Sequence, residues 1–183
     1  MSYDIVTEYE MIPTDTFKII RGCACCGSKK LFSCKDRFRV NANGNRLDIW
    51  LIYGCEKCGH TYNLSVYERI HPDKIPRKEY EKFLANDKDK VYEIGTSKTI
   101  FDRNRAEIAW DACGYKIVPL AEKEADFSKD RLLMKIHNPY GIPVRTDKVA
   151  AEILGLTRSR VKKLLNDGVI DIHNDIQKAE NNL

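Results

Sequence analysis

The phrase Cys-x-x-Cys-Gly occurs twice in this chain, as Cys23-Ala-Cys-Cys26-Gly27 and as Cys55-Glu-Lys-Cys58-Gly59, and no other feature restricts its possible folds so strongly. Two residues between thiols let a tight turn aim both sulfurs the same way, and a glycine after the second takes backbone angles that a side chain resists. The stretch between the two phrases is β-patterned. Phe38 and Val40 lead into Asn41-Ala-Asn-Gly-Asn45, after which Leu47, Ile49, Leu51 and Tyr53 recur with period two, so a hairpin is predicted. Thr61 to Tyr67, with Tyr62, Leu64 and Val66 on one face, reads as a third strand. Two knuckles joined by a hairpin make one tetrahedral site, and four thiolates suit zinc.

The expected unit is therefore a zinc ribbon with Cys23, Cys26, Cys55 and Cys58 as metal ligands. The other roles for cysteine fit less well. Seven cysteines form no closed disulfide set, and the N-terminus does not resemble a signal peptide, so a reducing compartment is expected. A redox-active dithiol wants one such motif at a helix start after a strand, rather than two knuckles. Cys25 lies beside Cys26 and is an alternative ligand to Cys26 or Cys23, although the following glycine favours Cys26. Cys34 and Cys113 lie outside both knuckles and read as packing residues. His60 follows the second knuckle, but four thiolates already complete a closed site.

With 43% hydrophobic and 32% charged residues in 183, the chain is ordinary globular material. No apolar run approaches the roughly 20 residues that cross a bilayer. The first fifteen residues carry Asp4, Glu8, Glu10 and Asp15 without a lysine or arginine, and a soluble cytoplasmic protein is expected. The net charge of +4 is small but unevenly spread. Between Thr16 and Cys58, nine basic residues (Lys18, Arg21, Lys29, Lys30, Lys35, Arg37, Arg39, Arg46 and Lys57) face Asp36, Asp48 and Glu56, which leaves the ribbon near +6. From Gly141 to Leu165, six basic residues face Asp147 and Glu152, a second patch near +4.

Residues 1–15 show no clean period, and Phe17 to Ile20 forms a short apolar strand into the first knuckle. Beyond Tyr67 the pattern turns helical. Pro76 suits a first helical turn, with Tyr80, Phe83 and Leu84 as its stripe. Asn86-Asp87 interrupts, a short helix through Val91, Tyr92 and Ile94 stops at Gly95, and Thr96-Ser97 caps a third helix expected to run through Ile100, Ile108 and Trp110 to Gly114. Tyr115 to Leu120 and Leu132 to His137 read as strands, a hairpin or neighbours, separated by the polar Glu122 to Asp130. After the rigid Asn138-to-Pro143 turn, Val149, Ile153 and Leu154 make one helical stripe, and Val161, Leu164 and Leu165 another capped by Thr157. Val169 to Ile172 reads as a strand and Asn174 to Leu183 as a polar tail. The fold class is α+β: an antiparallel zinc ribbon over 1–68, a short helical connector over 69–114, and strands plus a helix-turn-helix pair over 115–183.

The stretch Arg145-Thr-Asp147-Lys148-Val-Ala-Ala-Glu-Ile-Leu154-Gly155-Leu-Thr157-Arg158-Ser159-Arg160-Val-Lys162-Lys163-Leu164-Leu165-Asn-Asp-Gly168-Val-Ile170 resembles the core of the S-four RNA-binding domain. That resemblance implies contacts to RNA phosphates and sugars from Arg145, Thr157, Arg158, Ser159, Arg160, Lys162 and Lys163, with Lys148 as a basic neighbour. The chain departs from the pattern at Thr146, where leucine is usual, and after Ile170, where Asp171-Ile-His-Asn-Asp175 replaces the usual strand and turn. A four-cysteine ribbon followed by such a segment is similar to a bacterial family catalogued as a domain of unknown function.

Together these features predict a non-catalytic RNA-binding protein with rRNA or tRNA as partner, associated with the ribosome or with tRNA. A protein-interaction scaffold with purely structural zinc is the alternative, and a DNA-binding regulator the next. An enzyme is not expected: the four histidines lie in unrelated segments, no nucleophile and base stand together, and a closed four-cysteine metal has no place for water. Neither a membrane nor a small-molecule substrate is implied.

Overall fold

A computed structural model describes residues 5–120 and 132–175. The polar Glu122 to Asp130 stretch and residues 176–183 of the expected tail lie outside them, while Asn174 and Asp175, expected in that tail, are strand residues. In chain order the elements are β1 (Ile5–Pro13), β2 (Ile19–Cys23), β3 (Ser28–Asn43), β4 (Arg46–Cys55), β5 (Thr61–Ile70), α1 (Arg77–Ala85), α2 (Lys88–Gly95), α3 (Lys98–Arg103), β6 (Glu107–Ile108), β7 (Tyr115–Pro119), β8 (Leu132–His137), α4 (Thr146–Leu154), α5 (Arg158–Asn166) and β9 (Ile170–Asp175). The fold is mixed α+β, with two sheets and a helical middle. The chain divides into two compact units, one of residues 13–114 and the other of residues 1–12 with 115–183.

The first unit is built on an antiparallel sheet in the order β5-β4-β3-β2-β6. Its centre is the predicted hairpin. Asn43 pairs with Arg46, which leaves Gly44-Asn45 as a two-residue loop, and Gly44 takes φ 60°, the left-handed region a glycine enters without strain. Leu51 pairs with Phe38 on one side and Leu64 on the other, so these three share a face. That face carries the core: Phe17, Ile19, Phe32, Tyr53, Leu51 and Leu64 are fully buried. The helices dock on it through aromatic side chains, Phe83 edge-on to Phe38 at 4.8 Å and Phe101 edge-on to Tyr53 at 6.1 Å. At roughly 1.5–3 kcal/mol for each large apolar side chain removed from water, this layer supplies most of the unit's cohesion.

The three helices fall near their expected places, and their ends have local causes. Asn86 closes α1 in the left-handed region, φ 51°, while its side chain accepts the Phe38 amide. Asp87 caps α2 by accepting from the Lys90 amide at 2.9 Å. The expected run of α3 to Gly114 is corrected. The helix stops at Arg103, Arg105 takes φ 51°, and Ile108 joins the sheet opposite Ile19. Residues 110–112 then form a 3-10 turn whose Trp110 packs edge-on to Phe17 at 5.0 Å. The apolar spacing of Ile100, Ile108 and Trp110 is helical, but the edge of β2 offers Ile108 hydrogen bonds that a helix extension would forgo.

The second unit holds a four-stranded sheet in the order β7-β1-β8-β9. Strands β1, β8 and β9 run parallel, with Glu8 opposite Lys135 and Met134 opposite Ile172. Two expectations are corrected here. Residues 5–13 form a strand, and β7 and β8 do not pair, because β1 lies between them. One face of the sheet carries Leu132, Met134 and Ile170 against Ala150, Ala151 and Val161 of the helix pair. On β1 and β8, His137 Nε2 lies 3.1 Å and Lys135 Nζ 2.9 Å from the Glu8 carboxylate.

Candidate metal centre

Each knuckle grows from the end of a strand. β2 delivers Cys23, whose carbonyl accepts from the amides of Cys26 and Gly27 at 3.2 and 2.9 Å; β4 delivers Cys55, whose carbonyl accepts from the Gly59 amide at 2.8 Å. Both turns close through a glycine in the left-handed region, Gly27 at φ 64° and Gly59 at φ 74°. The sheet then sets the two turns side by side. Phe32 of β3 pairs with Ile19 of β2 and with Cys55 of β4, and the Glu56 amide donates to the Leu31 carbonyl at 2.9 Å.

The sulfurs of Cys23, Cys26, Cys55 and Cys58 lie within 4.8 Å of one another, with Cys23 and Cys58 3.4 Å apart. A tetrahedron with metal–sulfur bonds of about 2.3 Å has edges of about 3.8 Å, so the four converge as ligands of one ion do. Two of the thiols are driven in opposite directions. Burial works against ionising Cys55, yet the amides of Cys58 and Lys57 hydrogen-bond its sulfur and bring the thiol down to about 7. Cys26 is pushed up to about 12, first by its hydrogen bond with Cys58 and then by burial. Crowded sulfurs cannot all hold charge unaided, and a bound dication removes that conflict. The residues fit a four-thiolate metal ion.

The remaining cysteines stand apart from this cluster. Cys25 is exposed, its sulfur 3.4 Å from His60 Nδ1. Cys34 and Cys113 are partly buried, and burial raises both thiols, Cys34 to about 11.

The eight basic and hydroxyl residues singled out in the second unit fall on and around the helix pair. Thr157 caps α5 by accepting from the Arg160 amide at 3.3 Å. Ser159, Arg160, Lys162 and Lys163 are exposed on α5, while Lys148 on α4 lies 5.6 Å from the Tyr115 ring centre. Arg145 and Arg158 are not independent cations. Arg145 Nε lies 3.0 Å from Asp147 Oδ1, and Arg158 Nη2 lies 2.9 Å from Asp147 Oδ2. The Arg158 guanidinium, opposed by burial and aided by Arg145, holds the Asp147 carboxyl below its usual range. Sequence reasoning counted Asp147 only as a charge against the patch; the signal available was its place two residues after Arg145 at a helix start.

Fold and site define a mixed α+β protein with a four-cysteine cluster that fits a metal ion. Residues 40–176 match the family described as Protein of unknown function (DUF1062), and with more than half of its length covered the chain belongs to that family. The match takes in Cys55 and Cys58 but begins beyond Cys23 and Cys26. No curated protein and no solved structure matches the chain. Among the described residues, no helix is long and apolar enough to cross a membrane.

Proposed function

We propose that this is a non-catalytic, zinc-containing RNA-binding protein in which α5 grips the phosphate backbone of structured RNA from the ribosome or tRNA. The observation that carries the reading is the outer face of α5. Arg160, Lys162 and Lys163 are exposed there, and no carboxylate among the described residues pairs with any of them. Arg145 and Arg158 each give Nε and Nη2 to Asp147 at the start of the same helix pair, which leaves only their remaining N–H donors for phosphate oxygens. Zinc is the ion that four thiolates in a closed tetrahedron favour, and its part is structural, tying the two knuckles into one fold.

The test is a titration of full-length protein with a tRNA and with an rRNA stem-loop at several salt concentrations. Replacing Arg160 and Lys163 together by alanine weakens binding to both RNAs by a similar factor, because phosphate contacts position without reading sequence. It also flattens the slope of log affinity against log salt by about one unit for each duplex phosphate that the side chains no longer neutralise. Equal affinity and equal slope for wild type and variant would discard the reading. Folding is unaffected by the change, since the buried residue of α5 is Val161.

A further inference from the structure

We infer a second binding site, on the open face of the antiparallel sheet around Arg37, Arg39 and Trp50, whose ligand is single-stranded nucleic acid. It goes beyond the α5 contact, from which it differs in unit, residues and preferred strand form.

The sheet has two chemically different faces. Leu51 and Tyr53 point to the one on which the helices dock. Period two sends Trp50, Ile52 and Gly54 to the other. There Trp50 lies between Arg39 and Ser65, Ile52 beside Asn63, and Gly54 between Ser33 and Thr61. A β-bulge interrupts β3 between Cys34 and Phe38, with Asp36 at φ 51°, and re-aims the side chains of the Lys35-to-Arg39 segment. The stem of Lys35 lies across Gly54 so closely that a Cβ there would collide with it. Arg37, Arg39, Ile52, Thr61 and Asn63 line a groove of about 390 Å³ on this face. That volume is in the range of small-ligand pockets, about 300–1,000 Å³.

Part of the ribbon's excess positive charge lies here, and the exposed Arg46 and Lys57 carry more of it outside the groove. Elsewhere in the same unit Lys18 is neutralised by Glu56 and Lys29 by Glu107, while the Arg21 guanidinium lies over Tyr62 at 3.5 Å from the ring centre. Lys35, Arg37 and Arg39 are all exposed, and no carboxylate among the described residues pairs with them. Three unneutralised cations on one sheet face call for a polyanion. The partly exposed indole of Trp50 beside Arg39 narrows the choice, because a base stacks on an aromatic ring only when its own face is free, as in an unpaired strand. Asn63 and Thr61 offer donors and acceptors to the base edges in the groove. Duplex bases are already stacked and have no face to give Trp50.

Trp50 also supplies the readout. The chain holds two tryptophans, and in a Trp110→Phe background excitation at the red edge, where tyrosine does not absorb, reports on Trp50 alone. Full-length protein in that background is titrated with a uridine-rich RNA of about a dozen nucleotides, a length within the span such platforms occupy. The expected result is quenching of Trp50 by the single strand and not by the same sequence annealed to its complement. Arg37→Ala with Arg39→Ala lowers the affinity and flattens the single-strand salt slope by about 1.4 units, about 0.7 for each phosphate released. Trp50→Leu, followed by anisotropy of a labelled strand, weakens binding at least about fivefold, the lower end of the loss when base stacking is removed. The arginine variant changes only exposed side chains, and its thermal melt and metal content match the parent. Arg160→Ala with Lys163→Ala leaves the Trp50 quench unchanged, so failure of the α5 site and failure of this one are read separately. Equal quenching by duplex, quenching by an acidic peptide of the same charge, or an arginine variant that binds the strand like its parent would each overturn the assignment.

Discussion

Cys25 and Cys26 are chemically identical neighbours, yet only Cys26 turns its sulfur into the four-cysteine cluster, while Cys25 turns its own toward His60. With zinc held by that cluster, as proposed, replacing Cys58 by serine is expected to remove it and replacing Cys25 by serine to keep about one equivalent; elemental analysis of purified variants distinguishes the two. Asp147 is the other residue on which a local arrangement turns. Its carboxyl titrates below the ordinary range because Arg158 and Arg145 bind the charged form. A depressed carboxylate stabilises the fold fully above its unfolded value, near about pH 3.9, and the contribution fades as pH falls through the lower folded value. Asp147→Asn is accordingly less stable than wild type at neutral pH, and the difference shrinks on acidification below about pH 4, as urea melts at several pH values reveal.

Among the elements, α1 depends on one side chain. Phe83 is 1% exposed, edge-on to Phe38 at 4.8 Å and to Tyr67 at 6.0 Å, with Lys90 Nζ 5.5 Å from its ring centre. Phe83→Ala costs about 3–5 kcal/mol of unfolding free energy in urea, through reduced burial and the cavity left behind. The end of α3 shows an element acting through a single side chain in another way. β5 is an edge strand, and Asn104 stands in for a missing neighbour, its Oδ1 accepting from the Ser65 amide and its Nδ2 donating to the Ser65 carbonyl, each at 2.8 Å. Arg103 Nη2 donates to the Val66 carbonyl at 2.6 Å. These hydrogen bonds occupy backbone groups that an exposed edge would leave open to another chain.

At the scale of the molecule, the chain starts one unit, leaves it to build the other, and returns. β1 pairs in parallel with β8 in the register Ile5 to Leu132, across a span that contains the whole unit with the four-cysteine cluster. Pairings so distant in sequence carry a loop-closure cost before they are rewarded. Both units rest on an apolar core, and the first adds the four-cysteine cluster to it. An ion held there would join the knuckles, whereas the parallel sheet has only the apolar core of Leu132, Met134, Val161 and Ile170. Chelation of the metal is therefore expected to raise hydrogen exchange in β2, β3 and β4 near the knuckles and to leave the amides of β8 and β9 protected, as read by exchange mass spectrometry.

The metal centre was legible in the sequence because its determinants are local: thiol spacing, a glycine after each second thiol, and a period-two hairpin ending in Asn43-Gly44-Asn45-Arg46 fix knuckles and register within about thirty-five residues. The helix pair was legible for the same reason, with Thr157 as cap and Gly155 in the left-handed region at φ 62°. What lay hidden depends on partners far along the chain. Thr7, Tyr9 and Met11 do alternate with Glu8 and Glu10, but that alternation becomes a strand only when β8 supplies its hydrogen bonds. Ile108 left a helical spacing because Ile19 was there to pair with it, and Arg158 lost its independence because packing brought Asp147 within reach. Local pattern sets which backbone states are cheap; tertiary structure decides among them, because a buried amide, carbonyl or charge goes where its partner is.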